Sequence, residues 1–273
     1  HIEQIHILPI HDLVEHLWAA GGTDIHMAAG AQPMIRVDGD LHPVQGTSSL
    51  TGEELEDIVT KMLPDDLLSL FVTNRQVDFS FSWKDQTRFR GNAFRQRGSV
   101  SLALRAIPHR IPTMDELLLP PVMAEFTRRR QGLLLITGPT GSGKSTTQAA
   151  MIGSINANER RHILTLEDPI EYVHPHLKSI ISQREIGSDT RTFPEGLKSA
   201  LREDPDIVLV GEMRDPESIS TTLTVAETGH LVFATLHTND TASALDRIID
   251  VFPPERQSQI RVQLAASLAG VVA

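Results

Sequence analysis

A chain of 273 residues, 40% of them hydrophobic, has enough apolar material for two ordinary domains, each with its own core. It has no cysteine, which excludes disulfides and thiolate metal sites and fits a reducing cytosol. A formal net charge of −10 argues against a nucleic-acid footprint, and no apolar run reaches the ~18 residues needed to cross a bilayer. The only lysines are Lys61, Lys84, Lys144, Lys178 and Lys198; the other basic residues are arginines, whose planar forks suit pairing with carboxylates and phosphates.

The opening HIEQIHILPIHDL begins without Met and lacks the charged-then-apolar build of a signal peptide, so a segment before His1 is expected. Ile10, Leu13, Val14, Leu17 and Trp18 fall on one helical stripe that stops at Gly21 and Gly22, and Trp18 is expected in the core. PMIRVDGDLHPV carries Asp38-Gly39 between two short strand-like pieces, a hairpin signal. Thr51 and Glu54 form a capping box before a helix that buries Leu55, Ile58, Val59 and Met62. VDFSFSW alternates Val77, Phe79, Phe81 and Trp83 with polar residues, and RFRGNAFRQRGSVSLALRAI supplies two more strands. Residues 1–107 thus read as a small α+β domain. Pro108, Pro112, Pro120 and Pro121 interrupt regular structure and mark residues 108–121 as a linker.

From 122 to 273 the pattern changes. LLLIT, HILTL, DIVLV and LVFATL are short, nearly continuous apolar runs alternating with helix-like segments, as in a parallel sheet covered on both faces. This half reads as α/β, and its last residues run on as a helix to Ala273, so a further C-terminal segment is expected.

Gly138, Pro139, Thr140, Gly141, Ser142, Gly143, Lys144, Ser145 and Thr146 spell a P-loop between a strand and a helix. Its backbone N–H groups and the helix N-terminus would cradle phosphates of ATP, with Lys144 bridging the β- and γ-phosphates and Ser145 ligating Mg²⁺. Hydrolysis also needs an acid to orient water. Glu212 lies just past DIVLV, at the carboxyl end of a buried strand, and is the candidate base. The Mg²⁺-associated Asp expected at the end of that strand is replaced by Gly211, so another acid should help hold the metal. LEDPIEY offers Glu167, Asp168 and Glu171. His230 and His237 flank the LVFATL strand; strand-end histidines are often structural. His174 and His176 in VHPHL have a metal-like spacing but lack partners and read as a surface loop.

In order and spacing, GPTGSGKST, LTLEDPIEY, ALREDPDIVLVGEMRD and AETGHLVFATLHT resemble the Walker A, Asp box, Walker B and His box of secretion ATPases of the GspE superfamily. SQREIGSDT, DRIIDVFPPE and the early GGTDIHMAAGAQPMIRVDGDL are similar to its PilT branch, the type IV pilus retraction ATPases. The resemblance implies a PAS-like domain joined to a RecA-like ATPase domain, assembled as a cytoplasmic homohexamer docked on an inner-membrane platform protein, without membrane insertion. It implies that Glu167 and Glu171 act around Mg²⁺ and its waters. It also implies that His237 senses the γ-phosphate, with His230 nearby at a subunit interface, and that Arg88, Arg90 and Arg105 approach nucleotide from the small domain. The retraction branch's C-terminal AIRNLIRE is absent. Extension-type relatives carry their tetracysteine zinc site beyond this point, so pilus extension or type II secretion stays open beside retraction. A RecA-type nucleic-acid motor is disfavoured by the acidic balance, and a nucleotide-gated ring that hydrolyses little is the third reading.

Overall fold

The computed structural model describes residues 8–84, 87–108 and 110–273. They divide into two compact units, His1–His109 and Arg110–Ala273. Among the described residues no helix is long and apolar enough to cross a membrane.

The first unit runs α1 (Leu8–Ala20), β1 (Asp24–Ala28), β2 (Met34–Val37), β3 (Asp40–Pro43), α2 (Gly52–Met62), α3 (Asp65–Asn74), β4 (Gln76–Trp83), β5 (Thr87–Gln96) and β6 (Ser99–Ala106). Its sheet has the order β3-β2-β1-β6-β5-β4, and every neighbouring pair is antiparallel. Period-two alternation sends Ile25, Met27, Val77, Phe79, Phe81, Phe89, Leu102 and Leu104 to one face, where they form a single core with Leu13, Val14 and Leu17 of α1 and Leu55, Ile58 and Val59 of α2. The opposite face is mainly polar, with Met34 and Phe94 among its residues. Asp38 (φ 50°) and Gly39 (φ 89°) make the tight turn that joins β2 to β3, with Val37 opposite Asp40. The Thr51–Glu54 capping box forms in both directions.

Trp18 departs from the expectation of a core residue, since it remains 39% exposed. Leu17 already points into the core, and the next helical position is turned by ~100°. The indole therefore lies at the edge of the stripe, tilted against Phe89 at 6.1 Å between ring centroids.

The second unit runs α4 (Val122–Thr127), β7 (Gly132–Thr137), α5 (Lys144–Asn158), β8 (His162–Glu167), β9 (Ile180–Glu185), α6 (Phe193–Ala200), β10 (Ile207–Val210), α7 (Pro216–Glu227), β11 (Leu231–Leu236), α8 (Thr241–Asp250), α9 (Pro254–Ser267) and β12 (Leu268–Val272). The strands form one wholly parallel sheet, in the order β12-β7-β11-β10-β8-β9. Both of its faces are buried, and successive residues serve different cores. Leu133, Leu135, Val208, Val210, Val232 and Ala234 pack with Leu197, Ile219, Leu223, Ile248 and Ile260. Leu134, Ile136, Ile207, Leu209, Leu231 and Phe233 pack with Met123, Met151, Ile152 and Ile155. Two-faced burial is why these strands read as continuous apolar runs.

Residues 110–121 form turns without helix or strand, as their prolines require, and Met114 and Leu119 pack against the second unit's core. The end of the chain differs from the expected helix. The helix stops at Ser267, and β-branched Val271 and Val272 continue as strand β12 along β7.

Candidate functional site

In a parallel sheet the carboxyl ends of the strands share one edge, and here four of them deliver the chemistry. β7 runs into the P-loop, β8 ends at Glu167, β10 is followed by Gly211 and Glu212, and β11 by His237. Gly143 turns the chain into α5 at φ 96°, a left-handed conformation that favours glycine. No side chain caps α5, so its first N–H groups face the loop. Lys144 folds back over the loop, its Nζ donating to Gly138 O at 2.6 Å and Pro139 O at 2.9 Å. It also lies 3.3 Å from His237 Nδ1. Burial lowers the Lys144 pKa, opposed by the charges of Glu212 and Glu171.

Glu212 is held at both oxygens. His237 Nε2 is 3.0 Å from Oε1, and Arg214 donates to Oε2 at 2.6 Å. Burial alone would raise the Glu212 pKa, but the Arg214 hydrogen bond and the His237 charge outweigh it and hold the carboxyl below the usual range. Glu167 differs sharply. Desolvation pushes it up to about 7, even though it accepts hydrogen bonds from Thr165 Oγ1 at 2.7 Å and Gln183 Nε2 at 3.1 Å.

These groups line a cavity of about 520 Å³ that holds Gly141, Gly143, Lys144, Ser145, Thr146, Glu167, Glu171, Glu212 and His237 together. Thr140 and Asp168 also reach it, whereas Gly138, Pro139 and Ser142 shape the loop without lining the cavity. Its volume is that of an ordinary small-molecule site. His230 is not brought to it. That ring sits at the amino end of β11, bonded through Nδ1 to Val225 O at 3.0 Å, a strand's length of roughly 20 Å from His237. Arg88, Arg90 and Arg105 lie on the polar face of the first unit's sheet, Arg90 directly opposite Arg105.

Gly211 has a steric cause. A Cβ there would stand 3.0 Å from Leu166 O and 3.3 Å from the Glu167 Cα, so a side chain would be tight against the β8 backbone where β8 and β10 approach.

The surface-loop expectation holds for exposed His176 but not for His174. His174 lines the cavity, its backbone N–H donates to Gln183 Oε1 at 2.9 Å, and burial takes its imidazole down to about 4. Sequence reasoning also missed Tyr172, whose hydroxyl meets Thr146 Oγ1 at 3.0 Å and ties the acidic loop to the start of α5. Gln183 Nε2 supports the same loop from β9, bonding Tyr172 O at 2.7 Å. Arg214 was legible only as the Arg of GEMRD, with no spacing signal for its contact with Glu212.

Glu167 gives a pH test. Its folded pKa lies above its unfolded value, so between about 4.5 and 7 the folded chain binds more protons than the unfolded one. This group's contribution therefore lowers stability as pH rises through that window. Glu167→Gln, neutral and of the same shape, should melt roughly 5 °C higher than the parent at pH 8 without nucleotide, with the gap closing below pH 4.5. Equal melting at pH 8 would show that ionised Glu167 is not destabilising.

Comparison with known proteins agrees with this geometry. Residues 3–273 match the family described as Type II/IV secretion system protein. The chain is 47% identical over 252 residues to the type IV pilus retraction ATPase PilT of Pseudomonas aeruginosa, covering 92% of this chain and 73% of that one. It is 48% identical over 240 residues to a twitching motility protein of Neisseria gonorrhoeae, covering 88% of this chain and 64% of that one. A crystal structure of the pilus retraction motor PilT with bound ADP superposes with a TM-score of 0.88 at 46% identity, over 96% of this chain and 76% of that one. The chain belongs to the Type II/IV secretion system protein family, in which it is a PilT-like secretion ATPase.

Proposed function

We propose that this chain hydrolyses ATP to power retraction of a type IV pilus. The observation that carries the reading is the convergence of Lys144, Ser145, Glu212 and His237 on one cavity, in a chain 47% identical to a pilus retraction ATPase. Lys144 and the α5 N-terminus hold the phosphates. Glu212 orients the attacking water and receives its proton, and His237, between Lys144 and Glu212, follows the γ-phosphate.

Among the described residues no three His, Asp or Glu side chains form a metal cage. Mg²⁺ does not need one, because it keeps several waters and takes few protein oxygens beside substrate phosphates. The Ser145 hydroxyl with Glu167 and Glu171, all lining the cavity, fits that demand. Bound there, the ion would neutralise charge developing on the phosphates. Ser145 would give it a direct oxygen, and Glu167 and Glu171 would orient its waters.

In this reading the first unit is a PAS-like domain and the second a RecA-like ATPase domain. Six copies close a cytoplasmic ring on an inner-membrane platform protein, and Arg88, Arg90 and Arg105 of one copy, with His230 near the same interface, approach the nucleotide of the next. Deleting the gene tests the reading in cells. Pili should accumulate on the surface while twitching stops; loss of surface pili would assign the chain to extension instead.

A further inference from the structure

Asp24 is the Cα partner of Arg36 on one side and of Arg105 on the other, and Arg105 faces Arg90. The row Arg36–Asp24–Arg105–Arg90 thus crosses four strands on the polar face of the sheet, three cations to one carboxylate. Like charges directly opposite each other on neighbouring strands are destabilising, so the Arg105–Arg90 pair carries a cost that folding alone does not call for.

Arg105 and Arg95 are held in different ways. Arg95 pairs with Glu56 through both terminal nitrogens, at 2.7 and 2.8 Å, as a stapling arginine does. Arg105 instead donates through Nε, at 2.9 Å to Asp24 Oδ1. Asp24 Oδ2 is taken by Thr23 Oγ1 at 2.6 Å, so the carboxylate is committed on both sides. Asp24 is only 9% exposed at its side chain, and Arg105 is 68% exposed. The grip lies at the base of the guanidinium, which leaves its two terminal NH₂ groups, the pair that meets a phosphate as a fork, outside the ion pair. Arg36 is turned away, its NH1 donating to Gly39 O at 2.6 Å.

We propose that Asp24 is a positioning residue for ATP hydrolysis: it holds Arg105 by Nε and presents the free end of the guanidinium to the phosphates of a nucleotide bound by a second copy of this chain. The inference rests on the shared-site reading above and extends it to a residue 81 positions away from the arginine it serves.

The test is steady-state ATPase activity of the full chain at concentrations where it assembles. Asp24→Ala should lower kcat by about tenfold or more and leave KM for ATP within about threefold, because the arginine acts on charge developed in the transition state. Adding Asp24→Ala to Arg105→Ala should cost less than a further twofold, since the first change acts only through the second residue. Mixing Asp24→Ala with Glu212→Gln subunits should regain activity, each supplying the half that the other lacks. Mixing Asp24→Ala with Arg105→Ala should regain none. If Arg105→Ala is inactive while Asp24→Ala turns over normally, the positioning role is overturned and the shared site stands. If Arg105→Ala turns over normally, Arg105 is not part of the shared site and the inference falls, whether or not Arg88 or Arg90 reaches the nucleotide. Should Asp24→Ala fail to melt cooperatively, Asp24→Asn takes its place, because it keeps an acceptor for Nε but weakens the grip. A loss in Asp24→Asn that adds fully to Arg105→Ala would mark a merely structural residue and overturn the proposal.

Discussion

Glu212→Gln is expected to leave ATP binding within several-fold of the parent and to lower turnover by about 10²-fold or more, the scale for a positioned proton acceptor. The substitution keeps the shape of a side chain gripped at both oxygens, by His237 at 3.0 Å and Arg214 at 2.6 Å. The amide oxygen can still accept from Arg214, and the amide nitrogen can donate to a neutral His237, so no buried partner is stranded. What is lost is the capacity to take a proton from water. Lys144, Ser145 and the loop glycines are untouched, which is why binding should survive. Equilibrium titration with a fluorescent ATP analogue, set against phosphate release under saturating ATP, separates the two effects. Near-normal turnover would remove Glu212 from the mechanism.

The P-loop was legible because its chemistry is local. Glycine at 143 is demanded by a left-handed backbone, and Lys144 and Ser145 follow from sitting on the first turn of α5. The parallel strands were legible for a different reason, since burial on both faces removes polar positions from the run. Strand β9 lacked that signal, because at the sheet edge its IISQRE is only partly buried. The final LAGVV misled because a short apolar run fits a buried helix end as well as a strand, and only its pairing with β7 decides. Non-local contacts were the least legible. Nothing in the spacing joins Asp24 to Arg105, carries His174 inward, or reveals how closely the β8 backbone approaches Gly211. His230 was legible in the opposite way: LVFATL reads as a strand with His230 and His237 at its two ends, and the structure keeps them a strand's length apart.

Lys144→Ala is expected to act one step earlier than Glu212→Gln, weakening ATP binding itself by about 10²-fold or more. Charge-assisted hydrogen bonds contribute roughly 1.5–3 kcal/mol each, and a lysine bridging two phosphates makes more than one, so its loss reaches that scale. Among the described residues Lys144 is the only lysine lining the cavity, and the other cation there that stays charged at any ordinary pH, Arg214, is engaged with Glu212. No neighbour is therefore placed to take over its charge. The fold should not suffer. Of the two residues whose carbonyls accept from Nζ, Pro139 is exposed and can bond water instead, and alanine is a better helix former than lysine at the start of α5. The nucleotide-free melting temperature should accordingly stay within about 2 °C of the parent, while the rise in melting temperature produced by added Mg–ATP should disappear, since that rise measures binding to the folded state alone. The two variants then form opposite classes: Glu212→Gln is still stabilised by ATP but turns it over slowly, and Lys144→Ala is no longer stabilised at the same ATP concentration. A Lys144→Ala chain stabilised by ATP as strongly as the parent would mean that this loop does not hold the phosphates.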